Sequence, residues 1–286
     1  MSVPDNRPAL DPAASSAGHR TATVWRLQTE PAGLFEDTDE LACEIPVALE
    51  YNGLAHATVL ATPTHLEDFA LGFSLTEGLI RSAADLYDLE VTEKPDGIVL
   101  EVTIASACLD QLKRRRRALA GRTGCGLCGL ESLNEVEREL APLTARPTPL
   151  NASVINHAMA QLRQAQPIHN LTGATHAAGW ADANGTLLAV REDVGRHNAL
   201  DKLIGHMARE GLSTNTGLAV ISSRASFEMV QKAAAAGINA LAAVSAPTQY
   251  AVSRAAALNV LLAGFTRNNR FTVYAHPEYL SKDFSL

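Results

Sequence analysis

Two cysteines separated by two residues are the side chains of this sequence best suited to chemistry. Cys125 and Cys128 lie in the stretch Gly121–Gly129, which contains four glycines. Glycine disfavours long helices and buried strands and permits positive φ angles, so this composition predicts an exposed, flexible loop. A loop of this kind can present a thiol to another molecule.

A Cys-x-x-Cys pair serves several kinds of chemistry, and the local sequence leaves more than one of them open. A structural zinc site needs four ligands. The other two cysteines, Cys43 and Cys108, are isolated, and the nearest histidine to the pair is His157. A thioredoxin-like dithiol usually opens a helix, which the flanking glycines disfavour.

A third option is a sulfur relay, in which a thiolate accepts a sulfur atom as a persulfide and passes it on. This role needs an exposed thiol with a lowered pKa, and nearby positive charge favours the thiolate form. The basic run Lys113–Arg117 lies just upstream of the pair. Such a run is commonly a solvated helix face, but beside a cysteine pair on an acidic protein it also suits a docking patch.

The stretch Gly121–Gly129 resembles the signature of the FdhD family, the sulfurtransferases that assist formate dehydrogenase. Three later segments resemble the same family: Glu192–Lys202, Ser222–Glu228, and the tail from Phe265 through Pro277. The resemblance runs from about Glu44 to the C-terminus. Each segment is a weak signal by itself, and the four together are specific.

The family resemblance implies a sulfurtransferase that takes persulfide sulfur from a cysteine desulfurase on Cys125, with Cys128 assisting. It implies that the protein binds the molybdenum (or tungsten) bis-pterin guanine dinucleotide cofactor, sulfurates its metal and serves a formate dehydrogenase. It also supports a homodimer, and no structural metal is expected. Two other functions stay open: a cofactor-delivery chaperone without sulfur transfer, and a dithiol redox enzyme.

Composition narrows the class of protein. The formal net charge of −7 argues against general nucleic-acid binding, and a hydrophobic content of 47% is ample for a buried core. Four cysteines without a pairing pattern suit a reducing cytoplasm. No apolar run reaches the length of a membrane span, and the N-terminus lacks a signal-peptide pattern. Residues 1–20 are rich in Pro, Ala, Ser and Asp, which predicts a disordered tail.

The order of elements predicts an α/β protein with a small α+β domain at residues 21–120. Residues 121–149 are expected to hold the cysteine loop, a short helix and a linker. Alternating strands and helices in residues 150–286 predict a largely parallel sheet covered on both faces. This order is compatible with the three-layer, cytidine-deaminase-like fold that the resemblance implies. Zinc deamination is rejected, because Gly124 rather than proline precedes the cysteine pair, so the Pro-Cys-x-x-Cys part of the deaminase signature is absent.

Short sequence patterns predict where several helices and turns lie. Asn52-Gly53 predicts a hairpin turn. Thr64-His65-Leu66-Glu67 has the pattern of a capping box and predicts a helix that continues to about Leu79. Apolar residues at helical spacing predict a helix that begins at Asn151, and another over Gln249–Leu262.

Two polar segments are expected at or near the carboxyl ends of strands, where α/β sheets bind ligands. Ser222, Ser223 and Arg224 follow a predicted strand and suit a phosphate group, although Ser223 could equally cap the next helix. A second polar turn suits a base or a pterin, although its aspartate could cap the following helix. Its candidate ligand-binding residues are Asp193, His197 and Asn198.

The last candidate segment is a polar loop between the predicted last helix and last strand. Two arginines and two asparagines there suit a phosphate-rich heterocyclic ligand. The family resemblance implies that this loop holds the guanine dinucleotide cofactor. Its residues are Phe265, Thr266, Arg267, Asn268, Asn269 and Arg270.

Overall fold

The structure, a computed structural model, describes residues 18–120, 138–144, 149–267 and 270–281. The predicted cysteine loop, with Cys125 and Cys128, lies outside the described residues, as do Asn268 and Asn269. Residues 1–17 of the predicted tail also lie outside them, and the first strand begins at His19. Within the described ranges, no helix has the length and apolar character needed to cross a membrane.

The chain begins with a two-stranded antiparallel ribbon, β1 (His19–Thr29) and β2 (Ala32–Ala42). A second sheet has the strand order β4-β3-β6-β5. Its strands are β3 (Ile45–Tyr51), β4 (Leu54–Ala61), β5 (Leu86–Lys94) and β6 (Gly97–Ile104). Helix α1 (Leu66–Thr76), a short 3₁₀ turn (Ala83–Asp85) and helix α2 (Ser106–Ala120) complete this N-terminal unit.

The predicted hairpin at Asn52-Gly53 is confirmed. Both residues have positive φ angles, 48° and 76°, as the tight turn between β3 and β4 requires. Strand β3 alternates between buried and more exposed residues, so that Val47, Leu49 and Tyr51 enter the core. This period of two is the pattern of a strand with one buried face.

The predicted capping box is wrong, and helix α1 is shorter than expected. His65, rather than Thr64, is the N-cap, with φ 52° and no side-chain capping bond. The Thr64 hydroxyl is buried without a described hydrogen-bond partner. The helix ends at Thr76 because Gly78, at φ 65°, closes a Schellman turn in which the N–H of Leu79 donates to the Ser74 carbonyl at 2.9 Å.

The C-terminal unit is a six-stranded sheet with the order β12-β11-β10-β9-β7-β8. Its strands are β7 (His176–Ala181), β8 (Leu187–Asp193), β9 (Leu218–Ile221), β10 (Ala240–Ala243), β11 (Leu261–Arg267) and β12 (Arg270–Ala275). Its helices are α3 (Ala152–Gln164), α4 (Pro167–Thr172), α5 (Arg196–Arg209), α6 (Phe227–Ala235) and α7 (Gln249–Ala257). A 3₁₀ turn, Pro277–Tyr279, follows the last strand.

The expectation of a largely parallel sheet is wrong. Strand β10 pairs in parallel with β9 and β11, but β7 is antiparallel to both β8 and β9, and β11 is antiparallel to β12. The reason is that the β7–β8 and β11–β12 hairpins occupy the two ends of the sheet. Strands β9, β10 and β11 are neighbours connected through the crossover helices α6 and α7, as parallel pairing requires, whereas the α5 crossover from β8 to β9 passes over β7.

Helices cover both faces of this sheet, which gives three layers. Successive residues of β9 pack on opposite sides: Ala219 and Ile221 join the core under α5, α6 and α7, whereas Leu218 and Val220 join the core under α3. Both faces of the strand are therefore apolar, as expected for the centre of a covered sheet. The mixed α/β class is confirmed, and the cytidine-deaminase-like description stays a prediction.

The predicted helix over Gln249–Leu262 is too long. Helix α7 ends at Ala257, Asn259 takes a left-handed φ of 57°, and β11 begins at Leu261. The apolar run there continues the helical pattern in sequence, but it forms a buried strand, and short apolar runs do not distinguish the two. Phe265, Thr266 and Arg267 consequently lie in β11 and not in a loop before the last strand.

The two units are joined along helices α1 and α5. A methyl group on Gly72 would overlap the carbonyl oxygen of Asp201, and one on Gly205 would overlap that of Asp68. The helix backbones are thus in direct contact, which only glycine permits. Beside this contact, Asp68 accepts from Arg191 and from Arg209, each at 2.8 Å, so charged side chains also cross the boundary.

Candidate functional site

A cavity of ≈ 380 Å³ opens at the edge of the C-terminal sheet where β9 and β10 end. Its volume falls within the range of small-molecule sites, roughly 300–1,000 Å³. The carboxyl ends of central parallel strands are the expected ligand position in open α/β sheets. Its polar side chains come from the end of α3, the link from α3 into α4, α4 itself, the turn that leads into β7, the start of β7 and the residue after β9. They are Arg163, Gln166, His169, Thr175, His176 and Ser222.

Arg163 supplies positive charge to this cavity. It lies in the last turn of α3, and its Nη2 donates to the Thr266 carbonyl at 2.9 Å, which ties α3 to strand β11. Among the described residues, Arg163 has no carboxylate partner. A guanidinium anchored through one nitrogen, with no carboxylate beside it, suits a phosphate or another anion.

Gln166 contributes a polar atom without a described hydrogen-bond partner. The residue is only 5% exposed, and its Nε2 donates to the Leu162 carbonyl at 2.9 Å. Its Oε1 is buried and accepts no hydrogen bond within the described structure. Buried polar atoms are nearly always paired, so this carbonyl is suited to accept an N–H from a bound heterocycle.

Glu192 fixes the wall that faces these residues. Its carboxylate accepts from the backbone N–H groups of Ile168 (3.0 Å) and His169 (2.8 Å), and from Thr175 Oγ1 (2.9 Å). These bonds join strand β8 to the start of α4 and to the turn before β7. His169 and Thr175 both line the cavity, whereas Glu192 does not. The hydrogen bonds of Glu192 therefore fix the positions of two lining residues.

His176 and Arg196 link the cavity to the start of α5. Burial lowers the pKa of His176, and the nearby positive charge of Arg196 lowers it further. His176 is therefore a neutral imidazole at pH 7. Beside it, Ser222 Oγ accepts from the backbone N–H of Ala177 at 2.8 Å, so the hydroxyl proton remains available to a ligand.

His197 lies at the same edge, on the face of the sheet covered by α5 and α6. Its Nε2 is 3.7 Å from Glu228 Oε2 in the first turn of α6, too long for a hydrogen bond. Burial, followed by the charge of Arg196, lowers the pKa of His197. The imidazole is thus neutral near pH 7 and has an unpaired ring nitrogen in the described structure.

Asp193 and Asn198 are brought together, but in the core between the two units. Asp193 Oδ2 is 2.6 Å from Lys202 Nζ and accepts from the Thr62 N–H at 3.0 Å. Asn198 Nδ2 donates to Asp193 Oδ1 at 3.0 Å and to the Leu60 carbonyl at 2.9 Å. Gly195, not Asp193, is the N-cap of α5. These contacts hold the N-terminal unit against α5.

The remaining predicted residues separate into two groups. Ser223 is buried and donates to the Arg224 carbonyl at 3.0 Å, and it does not cap α6, whose N-cap is Ser226. Arg224 is exposed. In the β11–β12 hairpin, Thr266 is buried, whereas the exposed residues are Phe265, Arg267 and Arg270. Among the predicted residues that the structure describes, only Ser222 lines the cavity. The backbone carbonyl of Thr266 accepts a hydrogen bond from Arg163, another lining residue.

A model of the FdhD/NarQ family matches residues 42–281 of this chain. The chain belongs to the FdhD/NarQ family. Proteins named sulfur carrier protein FdhD are similar over nearly their whole length. The one from Bordetella petrii is 54% identical over 94% of this chain and 96% of its own. The one from Bordetella bronchiseptica is 58% identical over 92% and 95%. The one from Cupriavidus necator is 49% identical over 100% and 98%.

A solved structure shares the fold of this family member. The crystal structure of a proposed formate dehydrogenase accessory protein from Desulfotalea psychrophila superposes with a TM-score of 0.70. The match covers 92% of this chain and 99% of that one, at 23% sequence identity. The family match and the similar sulfur carrier proteins confirm the family resemblance seen in the sequence, and the solved structure shares the fold.

Sequence reasoning missed the residues that contribute most to the cavity in this FdhD/NarQ protein. Arg163 comes from the last turn of α3, which appeared in the sequence only as an amphipathic core helix, and Gln166 is the N-cap residue of α4. A weak signal exists, since polar residues cluster directly before Pro167. Among the described residues, no group of His, Cys, Asp and Glu has the arrangement of a metal site.

Proposed function

We propose that this protein carries sulfur as a persulfide on Cys125 and delivers it to the molybdenum or tungsten bis-pterin guanine dinucleotide cofactor of a formate dehydrogenase. The observation that carries the proposal is similarity at 49–58% identity, over nearly the whole chain, to proteins named sulfur carriers. The Cys-x-x-Cys pair supplies the thiols that such a role requires.

Loading proceeds by exchange between thiols. The Cys125 thiolate attacks the outer sulfur of a persulfide on a cysteine desulfurase, a new S–S bond forms, and the donor leaves as a thiolate. In delivery, the Cys128 thiolate attacks the inner sulfur of the Cys125 persulfide. A Cys125–Cys128 disulfide forms and hydrosulfide leaves as the ligand for the client metal. A cellular dithiol then reduces the disulfide, which balances the electrons of the cycle.

The cavity supports the cofactor part of the proposal. The client carries phosphates and guanine rings, and the cavity offers the Arg163 guanidinium together with the unpaired carbonyl of Gln166. A guanidinium binds phosphate, and a carbonyl accepts an N–H from a base. At ≈ 380 Å³ the cavity has room for one nucleotide end of the cofactor and not for the whole. The exposed arginines Arg267 and Arg270 of the β11–β12 hairpin could serve other phosphates.

The deciding experiment is intact-mass spectrometry after incubation with a cysteine desulfurase and free cysteine. Wild type, Cys125→Ala and Cys128→Ala are compared, with Cys43→Ala as the matched control. We expect an adduct of about +32 Da, one sulfur atom, that is lost in Cys125→Ala and kept in Cys43→Ala.

Other results of this experiment would support one of the two competing functions. A wild-type protein that gains no adduct from an active desulfurase, but still binds cofactor, would be a delivery chaperone. A protein that instead cycles Cys125–Cys128 and reduces model disulfides without a desulfurase would be a redox enzyme. We further propose that the protein acts as a homodimer in the reducing cytoplasm, which light scattering and cell fractionation test.

A further inference from the structure

The β1–β2 ribbon is the least covered part of the described structure. Its strands have 11 residues each, and among the described strands they pair only with each other. The ribbon packs on the rest of the protein mainly where β2 meets α4, and most of its residues are exposed. An isolated two-stranded ribbon is marginally stable in water unless another element packs on it. A further surface is therefore expected to cover this one.

The end of the ribbon near its turn carries an apolar patch. Trp25 and Leu27 are two residues apart on β1, so they share one face, and they are 61% and 78% exposed. Leu34, at 60% exposure, lies directly opposite Leu27 in the register of the two strands. Three large apolar side chains on one exposed face indicate an interaction surface.

The ribbon is also acidic. Residues His19–Ala42 contain two arginines and five carboxylates, a formal charge of −3. Arg26 is already paired on the other face, at 2.6 Å from Asp37 and 3.0 Å from Asp39. Glu36 lies directly opposite Trp25 in the register, so it shares the face of the apolar patch. A fitting partner surface therefore combines positive charge with apolar contact.

Helix α2 has this combination, and the proposed sulfur transfer leaves its basic run without a role. Cys108 and Leu112 face the core of the N-terminal unit, whereas Lys113 and Arg114 are exposed and begin a run of five basic residues. Lysine and arginine side chains cover apolar groups with their stems while their charged heads pair with carboxylates. They also bind favourably over an indole ring. Five consecutive basic residues are an exception on a protein with a net charge of −7.

We propose that the β1–β2 ribbon of one copy docks on helix α2 of a second copy, and that the reciprocal contact forms the dimer. This inference rests on the proposed homodimer and not on sulfur transfer. A ribbon face is about 35 Å long and 10 Å wide, and the 15 residues of α2 extend over about 22 Å. Two such contacts bury roughly 900–1,400 Å², around the lower limit for a stable interface. The dimer should therefore dissociate reversibly.

The experiment measures the dimer dissociation constant of the full-length protein by sedimentation velocity over a series of concentrations. Wild type is compared with Leu27→Ser, Glu36→Lys, Lys113→Glu and the double variant Glu36→Lys/Lys113→Glu. The matched controls are Leu188→Ser on β8 and Glu90→Lys on β5, which change exposed residues outside both surfaces. Circular dichroism checks that each variant is folded.

We expect each of the three single variants to weaken dimerisation at least about tenfold, because two-fold symmetry places every change in both contacts. The double variant should regain most of the lost affinity, since opposite charges meet again. Both controls should dimerise like wild type, and added salt should weaken the wild-type dimer.

Two results would overturn the assignment of this interface. One is single variants that dimerise as tightly as the controls, and the other is a double variant no tighter than Glu36→Lys and Lys113→Glu alone. A wild type that stays monomeric at every concentration overturns the proposed homodimer as well. Sulfur carriage is judged separately by the mass adduct, so its failure and the failure of this interface are distinguishable.

Discussion

Lys202 and Asp193 form an ion pair with an Nζ–Oδ2 distance of 2.6 Å in which neither side chain is exposed. Lys202 Nζ also donates to the Thr62 carbonyl at 2.8 Å, and the Thr62 N–H donates to Asp193. Burial lowers the pKa of Lys202, and the carboxylate of Asp193 opposes that shift. Together with Thr62, the pair therefore joins α5 and β8 of the C-terminal unit to the loop after β4 of the N-terminal unit.

Asp193→Asn should destabilise the protein strongly, because the Lys202 ammonium would remain buried without its counter-charge. Breaking one side of a buried pair typically costs about 3–5 kcal/mol. Urea unfolding followed by circular dichroism measures the loss, with Asp37→Asn in the exposed Arg26–Asp37 pair as the control. Adding Lys202→Met to Asp193→Asn should recover part of the stability. A single variant as stable as the control would contradict this structural role.

Gly72→Ala should loosen the contact between α1 and α5. The added methyl group would overlap the Asp201 carbonyl oxygen, which is backbone of α5 and cannot rotate away. Overpacking of this kind costs typically about 1–3 kcal/mol, so thermal unfolding should shift to lower temperature. Gly33→Ala in the ribbon is the control, since its methyl group would meet only the Phe35 ring. Equal melting temperatures for the two variants would argue that the helices can separate at little cost.

Arg163→Gln should weaken binding of a guanine nucleotide more than Arg224→Gln does. Arg163 lines the cavity, whereas Arg224 is exposed and outside its lining. A hydrogen bond to a charged group contributes about 1.5–3 kcal/mol, which corresponds to a roughly 10- to 150-fold change in dissociation constant. Isothermal titration with guanosine diphosphate measures it. Equal losses of affinity in the two variants would indicate that the phosphate binds outside the cavity, near the predicted Ser222–Arg224 segment.

Unfolding free energy should fall as the pH is lowered through about 6.5, the usual pKa of histidine. Burial lowers the pKa of His65, His176 and His197, so the folded state takes up protons less readily than the unfolded chain. Where the unfolded state binds more protons, stability decreases with falling pH until the folded groups titrate. Urea titrations between pH 8 and pH 5 test the slope.

A matched variant identifies the source of that pH dependence. His176→Gln should flatten the slope, because it removes one group that takes up its proton at a higher pH in the unfolded chain than in the folded state. Carboxylates with lowered pKa values, such as Glu40 and Asp85, contribute in a separate window at more acidic pH. A slope that is unchanged in the variant, or stability that rises toward pH 5, would contradict the assignment.

The amino-acid sequence by itself determined the local elements and the family. Asn52-Gly53 specified its hairpin, because few residue pairs accept two positive φ angles in a two-residue turn. The helix predicted to begin at Asn151 starts one residue later, at Ala152, and the Asn151 side chain caps it by accepting from the N–H of Ser153 at 2.9 Å. The cysteine stretch and three further segments were sufficient to indicate the family, because such motifs are contiguous along the chain.

Only the tertiary structure decided which side chains meet. Asp193 contacts Thr62 across 131 positions, and that contact converts a predicted ligand-binding residue into part of the core. Arg163 and Gln166 enter the cavity because α3 ends beside β11, which no local pattern records. Periodicity encodes the exposed and buried faces of each element, but the partner of a polar group depends on packing between elements distant in sequence.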